Sequence, residues 1–114
     1  MTNNEPVPNV TTVTTENRNG TIVVKATDQG MPLDIRVAQS ELRYGADALA
    51  AEIMRLTKQA ATEAGARRRE ELAKSGVPED VLNRLGLPTR EQAIEDQWAS
   101  DEQEIAPVSW KRPV

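Results

Sequence analysis

The stretch from Gly45 to Ser75, GADALAAEIMRLTKQAATEAGARRREELAKS, decides the fold of this chain. Within it, apolar residues recur every three or four positions, which is the period of an α-helix, and they form one stripe. The stripe consists of Leu49, Ile53, Leu56, Ala60 and Ala64. Asp47 suits the positive end of the helix dipole, and Gly76 suits a C-terminal stop. The pattern predicts one long helix over about residues 46–74.

Three β-type segments precede this helix, at about residues 10–15, 21–27 and 33–37. They are rich in Thr, Val and Ile, and they are separated by turn signals that contain Asn, Asp, Gly and Pro. The economical arrangement is a three-stranded antiparallel meander. Alternation puts the apolar residues of the second and third strands on one face, which needs a cover. These residues are Ile22, Val24, Ala26, Leu33, Ile35 and Val37.

The long helix is the predicted cover, so the fold class is α+β. A helix of this length measures roughly 40 Å, whereas a strand of five to seven residues spans roughly 20 Å, so its second half is expected to overhang the sheet. A short helix should follow from Pro78 to about Gly86, since Pro is favoured at a first helical position. Thr89 to Gln92 fits a capping box, which starts a last helix carrying Ile94 and Trp98. After Ser100 the helical pattern fades, and the Pro-interrupted tail is predicted to be non-helical.

Composition excludes several classes of function. A chain of 114 residues fits one domain, and the absence of Cys and His excludes disulfides, Cys-ligated zinc and triads built on Cys or His. The net charge of −4 argues against a protein that works mainly by neutralising phosphates. Residues 91–110 hold six acids and no base. No secretory leader or membrane-spanning run is evident, so we expect a cytoplasmic protein. The thin aliphatic core makes a homodimer the expected state.

The order of elements, with Leu33-Asp34-Ile35-Arg36-Val37 followed by the helix start at residues 45–53, resembles the YbaB/EbfC family of small bacterial nucleoid-associated proteins. This resemblance covers about residues 10–70 and implies an α+β dimer. The Pro-containing segment before Val10 is not expected to form that family's N-terminal helix, and an acidic C-terminal extension is added. With the segment at residues 87–93, LPTREQA, the chain is more similar overall to actinobacterial EspH-type proteins associated with type VII secretion.

That second resemblance covers about residues 10–98 and implies a cytosolic chaperone or accessory factor for secreted substrates. The resulting division is a disordered arm at 1–9, a YbaB-like α+β domain at 10–86, and an acidic helix and tail at 87–114. We expect no enzymatic activity and no cofactor or metal. The expected partners are a second copy of the chain and a secreted protein client. The alternative is a nucleoid-associated dimer that binds DNA.

Candidate contact residues follow from these patterns. The partner-binding candidates are Leu56, Ala60, Ala64, Ile94 and Trp98. The first part of the long-helix stripe is either sheet-covering core or a client groove, and the small residues from Ala60 to Gly65 suit either solvent or close approach of another helix. Ile94 and Trp98 either dock on their own domain or contact a partner. The nucleic-acid candidates of the alternative are Arg67, Arg68, Arg69 and Lys74, which otherwise form a solvated helix end balanced by nearby glutamates.

Paired carboxylates carry no catalytic prediction. The pairs are Glu70-Glu71, Glu95-Asp96 and Asp101-Glu102. Adjacent residues on a helix diverge by ~100°, so neither member of such a pair faces the other. No Gly-rich phosphate loop accompanies them.

Overall fold

The computed structural model describes the backbone of residues 10–109 and the side chains of residues 10–103. The predicted disordered arm at 1–9 and the end of the predicted tail at 110–114 lie outside these residues. Three strands come first: β1 (Thr12–Glu16), β2 (Ile22–Thr27) and β3 (Pro32–Val37). A 3-10 helix (Gln39–Tyr44) leads into α1 (Ala46–Lys74), which is followed by α2 (Glu79–Arg84) and α3 (Arg90–Ser109).

The strands form one antiparallel sheet in the order β1-β2-β3, which confirms the predicted meander and the α+β class. Both turns use glycine in the left-handed region, with φ of 73° at Gly20 and 87° at Gly30, where a side chain would be strained. The buried Asn17 closes the first turn, because its Oδ1 accepts a hydrogen bond of 3.0 Å from the Ile22 amide. Turn chemistry therefore sets the register of the meander.

The core lies between the sheet and the first two-thirds of α1. Its fully buried members are the predicted inward residues of β2 and three of the five residues of the predicted helix stripe, while the other two, Leu49 and Ile53, are partly buried. The fully buried members are Ile22, Val24, Ala26, Leu56, Ala60 and Ala64, and Val13 of β1 adds a seventh buried apolar residue. A hydrogen bond of 3.0 Å from Thr15 Oγ1 to the Leu56 carbonyl joins the sheet to the helix. The periods of two and 3.6 residues thus gave the correct inner faces.

The overhanging end of α1 is covered by the rest of the chain. Arg69 is 9% exposed, and its guanidinium donates hydrogen bonds of 2.8 Å to the Leu87 carbonyl and to Asn83 Oδ1. α2 and the loop that follows it are thereby fixed to α1. Thr89 and Gln92 form the predicted capping box at the start of α3, with bonds of 2.9 and 3.1 Å in the two directions.

The structure departs from the predicted secondary structure in two places. The 3-10 helix was not predicted, because its sequence QSELRY carries no repeat long enough to show a helical period. α3 continues through Pro107 to Ser109, although the pattern predicted a non-helical segment after Ser100. Proline fixes φ at about −65°, which is a helical value, but it lacks the backbone N–H that a helix interior uses, so the sequence pattern does not predict this continuation.

Candidate protein-interaction surface

Three of the predicted partner-binding residues lie in the core. Leu56, Ala60 and Ala64 have no exposed surface, and they pack against the sheet. A side chain with no accessible surface in the monomer makes no contact with a partner. Their assignment to a partner-binding surface is therefore wrong, and the stripe to which they belong is sheet-covering core.

The small residues at the middle of α1 do admit a close neighbour, but that neighbour belongs to the same chain. A Cβ added at Gly65 would stand 2.8 Å from Cδ of Pro88 and 3.2 Å from its Cγ. The loop before α3 therefore approaches α1 where glycine leaves room. The sequence predicted this small-residue surface but not whether solvent or another part of a protein would lie against it.

The two remaining partner-binding candidates are accessible. On α3, Ile94 is 42% exposed and Trp98 is 68% exposed, whereas Ala93 is 5% exposed. The buried side of α3 faces α1, because Ser100 contacts both Arg55 and Gln59 of that helix. Ile94 and Trp98 are therefore directed away from the core of their own domain.

α3 is held on α1 largely by polar contacts. Arg90 donates to both oxygens of Glu63 at 2.7 and 2.8 Å, and to Glu70 at 3.0 and 3.2 Å. The hydrogen bonds from Arg90 lower the pKa of Glu70. Burial raises the pKa of Glu63, but hydrogen bonds from Arg90 and Arg67 outweigh it and leave that pKa lowered. Hydrogen bonding to Glu70 and then to Glu63 raises the pKa of Arg90, so all three groups are charged near neutrality.

An exposed apolar surface that the sequence reasoning did not foresee lies along β3. Ile35 is opposite Val24 in the register and so shares its face, yet it is 41% exposed, and Leu33 is 52% exposed. The expectation that the long helix covers the whole apolar face is wrong at these two residues. α1 packs on β1 and β2. Three strands about 4.8 Å apart occupy roughly 14 Å in full width, whereas a helix is about 10 Å wide, so a helix that lies along β1 and β2 leaves part of β3 uncovered.

Further exposed apolar side chains adjoin β3 in sequence. Of the ten large hydrophobic residues that are exposed in the described part of the chain, six lie between residues 31 and 54. They are Met31, Leu33, Ile35, Leu42, Tyr44 and Met54, and we call the two that lie on β3, Leu33 and Ile35, the β3 surface. In the sheet as described, β3 pairs with β2 alone, so its other edge presents backbone donors and acceptors. An apolar surface beside an open edge is typical of protein-binding sites.

The arginine cluster is divided among three structural contacts. Arg67 is exposed and donates a 3.0 Å hydrogen bond to Glu63, Arg68 lies 3.8 Å from Asp28, and Arg69 is buried. The assignment of Arg69 to a phosphate-binding surface is wrong, since its guanidinium fixes α2 and the following loop. Lys74 is exposed in the last turn of α1. Adjacent positions on a helix diverge by ~100°, so the three arginines do not form one stripe, although Lys74 shares the face of Arg67, seven residues before it.

The described residues hold no cluster that suits a metal ion, since no group of three or more acidic side chains among them is placed to hold one. A cavity of about 240 Å³ between α1 and α3 is lined by polar groups that include Arg55, Gln59 and Asp96. Arg55 is engaged there by Glu52 and Ser100, so the cavity belongs to the polar packing between the two helices. Over the same part of the chain, no helix has the length and apolarity required to cross a bilayer.

Fold and surface together define a small α+β protein with a sheet incompletely covered by one helix and with two exposed apolar surfaces. Comparison with known proteins adds no relative: no family model, no curated protein and no solved structure matches the chain.

Proposed function

We propose that this chain is a non-enzymatic interaction protein, a cytosolic chaperone or accessory factor for a protein exported by type VII secretion. The observation that supports this proposal is the β3 surface, where apolar side chains lie beside an open sheet edge. The resemblance to EspH-type proteins supplies the secretion context. A homodimer, in which a second copy shares part of this surface, belongs to the same proposal.

The mode of client binding follows from the chemistry of the β3 surface. An extended client segment that pairs with β3 would satisfy its free backbone groups, while the apolar side chains of the client cover Leu33 and Ile35. Lys25 and Asp34 are exposed cross-strand neighbours on the sheet's outer face, where they favour solvent. The inner face beside α1 is therefore the side on which a client gains apolar contact.

The test compares captured partners of the wild type with those of the double variant Leu33→Thr/Ile35→Thr. Threonine keeps the β-branched shape that suits a strand but removes apolar contact area. The control is Leu85→Thr, which changes a side chain that is 58% exposed and lies at the end of α2. Each protein is used to capture partners from a native lysate, with and without nuclease, and the client's secretion is measured in cells.

We expect one secreted protein to be recovered with the wild type and the control, regardless of nuclease. The double variant should fail to recover this protein, and the secretion of the protein should fall. The free energy of unfolding of the double variant should stay within about 1 kcal/mol of the wild-type value. Equal recovery by the double variant would contradict the role of the β3 surface. Partners that disappear after nuclease treatment would instead favour the DNA-binding alternative.

A further inference from the structure

The outer face of α3 combines apolar and acidic side chains at helical spacing. Helical geometry at ~100° per residue places its members within an arc of roughly 100°, opposite the side on which Ala93 and Ser100 face α1. They are Glu91, Ile94, Glu95, Trp98 and Glu102, and each is exposed. We call this set the α3 outer face. It shares no residue with the β3 surface.

The aromatic centre of this face is suited to binding. Trp98 is 68% exposed, and Ile94 lies one turn before it on the same face. When a partner covers an exposed tryptophan and a neighbouring aliphatic residue, their apolar surface is removed from water, which favours binding. Tryptophan is also enriched among the residues that contribute most to binding free energy in interfaces. The i, i+4 spacing of the two residues matches the ridge of a helix that packs against another helix.

The negative charge of this face restricts which kinds of partner can bind it. Residues 91–103 carry five acids and no base, and no basic residue occurs in the last turn of α3. Glu91 and Glu95 form a like-charge i, i+4 pair, which is unfavourable in an isolated helix. Arg90, the nearest cation in sequence, is turned towards Glu63 and Glu70 of α1. A partner that supplies Lys or Arg beside an apolar stripe would relieve this repulsion.

We propose that the α3 outer face binds a basic amphipathic helix of another protein. Trp98 and Ile94 contact the apolar stripe of that helix, and Glu91, Glu95 and Glu102 pair with Lys or Arg residues on its flanks. From 91 to 102 the face extends ~17 Å along α3, which is about the length of a three-turn partner helix.

The probe is a peptide of about 18 residues, with Leu at helical spacing and Lys on both flanks, which is mostly unfolded alone. Its counterpart replaces every Lys with Glu. Both are titrated into the full chain carrying Trp110→Phe, so that the emission of Trp98 reports its own burial. Fluorescence anisotropy of the peptide gives the affinity for variants without Trp98.

Each variant has a matched control. Trp98→Ala is matched by Met54→Ala, because Met54 is 69% exposed. Glu95→Gln is matched by Glu71→Gln, which alters an exposed acid on α1.

Binding of the basic peptide should shift the Trp98 emission to shorter wavelength and induce helix in the peptide. Trp98→Ala should weaken binding by about ten-fold or more, as expected for a central interface residue. Glu95→Gln should weaken it several-fold at ~50 mM salt and less at ~300 mM, where screening is stronger. The two control variants should bind as the wild type does.

Several results would overturn the proposal. One is failure of the basic peptide to bind at millimolar concentration, and another is equal affinity for the acidic peptide. Unchanged binding by Trp98→Ala would also overturn it. If the Trp98 emission shifts as the chain alone is concentrated, the occupant is a second copy. None of these results bears on the β3 surface, whose test uses different residues.

Discussion

The contact between Gly65 and Pro88 provides a sharp test of how the C-terminal helices are attached. Replacing Gly65 with Ala has two opposing effects. Alanine is about 1 kcal/mol better than glycine in a helix interior. The added Cβ, however, would lie 2.8 Å from Pro88 Cδ, closer than real Cβ contacts allow. Forcing an extra carbon into such a contact typically costs about 1–3 kcal/mol. We therefore expect Gly65→Ala to destabilise the chain by about 0–2 kcal/mol.

The sign of this effect should reverse when the proline ring is removed. In a Pro88→Ala background the Cδ and Cγ atoms are gone, so the helix propensity of alanine remains as the main term. Gly65→Ala should then stabilise the chain by up to about 1 kcal/mol. The coupling between the two substitutions is the difference, about 1–3 kcal/mol.

This coupling is measured by urea unfolding followed by far-UV circular dichroism. The four proteins compared are the wild type, the two single variants and the double variant. The slope of the transition must be the same for all four proteins for the comparison to hold. If Gly65→Ala stabilises the wild type as much as it stabilises Pro88→Ala, the loop does not rest on α1 at this position. The assigned packing of the α2–α3 loop would then be refuted.

Two further predictions concern the cations that join the helices. Arg69→Met should destabilise the chain by about 2 kcal/mol in urea unfolding, because the hydrogen bonds from the buried guanidinium to Asn83 Oδ1 and to the Leu87 carbonyl are lost; an unchanged midpoint would show that this guanidinium is not structural. The second prediction concerns Arg90, whose hydrogen bonds lower the pKa values of Glu63 and Glu70 in the folded chain. Both carboxylates therefore stabilise the docked helix fully above about pH 4.3, the ordinary pKa of Glu. This stabilisation is lost progressively as the pH falls through their lowered pKa values. The ions are partly exposed, so Arg90→Gln should cost about 0.5–1 kcal/mol at pH 7 and less as the pH is lowered below about 4.3, as measured by the same unfolding assay; a cost that does not fall with pH would contradict the ion-pair interpretation.

The sequence predicted the inner faces of the sheet and of α1 because these faces follow a simple period. Ile22 and Val24 repeat every two residues, while Leu56, Ala60 and Ala64 repeat at helical spacing, and all five are fully buried. Periodicity reports which side of an element faces inward, and it does so without knowledge of neighbouring elements. The fold class could therefore be predicted from one chain.

Exposure and long-range contact could not be predicted in the same way. Ile35 has the inward position that the period assigns to it, yet no element of the described chain covers it fully. Arg69 was grouped with two adjacent arginines, although its acceptors Asn83 and the Leu87 carbonyl lie 14 and 18 residues away. A helical repeat gives direction but not the lateral reach of a helix over a sheet, and it does not identify polar partners that are distant in sequence.

The same geometry separates what the β3 residues contribute to folding from what they contribute to binding. Apolar burial contributes about 25 cal/mol per Å² removed from water, so a side chain that remains about half exposed gains only part of its transfer free energy in the monomer. Leu33 and Ile35 are in this position, whereas Val24, which lies opposite Ile35 on the same face, is fully buried. The remaining hydrophobic free energy of Leu33 and Ile35 is available only to a complex that covers them. For this reason, we expect substitution at these two positions to affect binding more than stability, and substitution at Val24 to do the opposite.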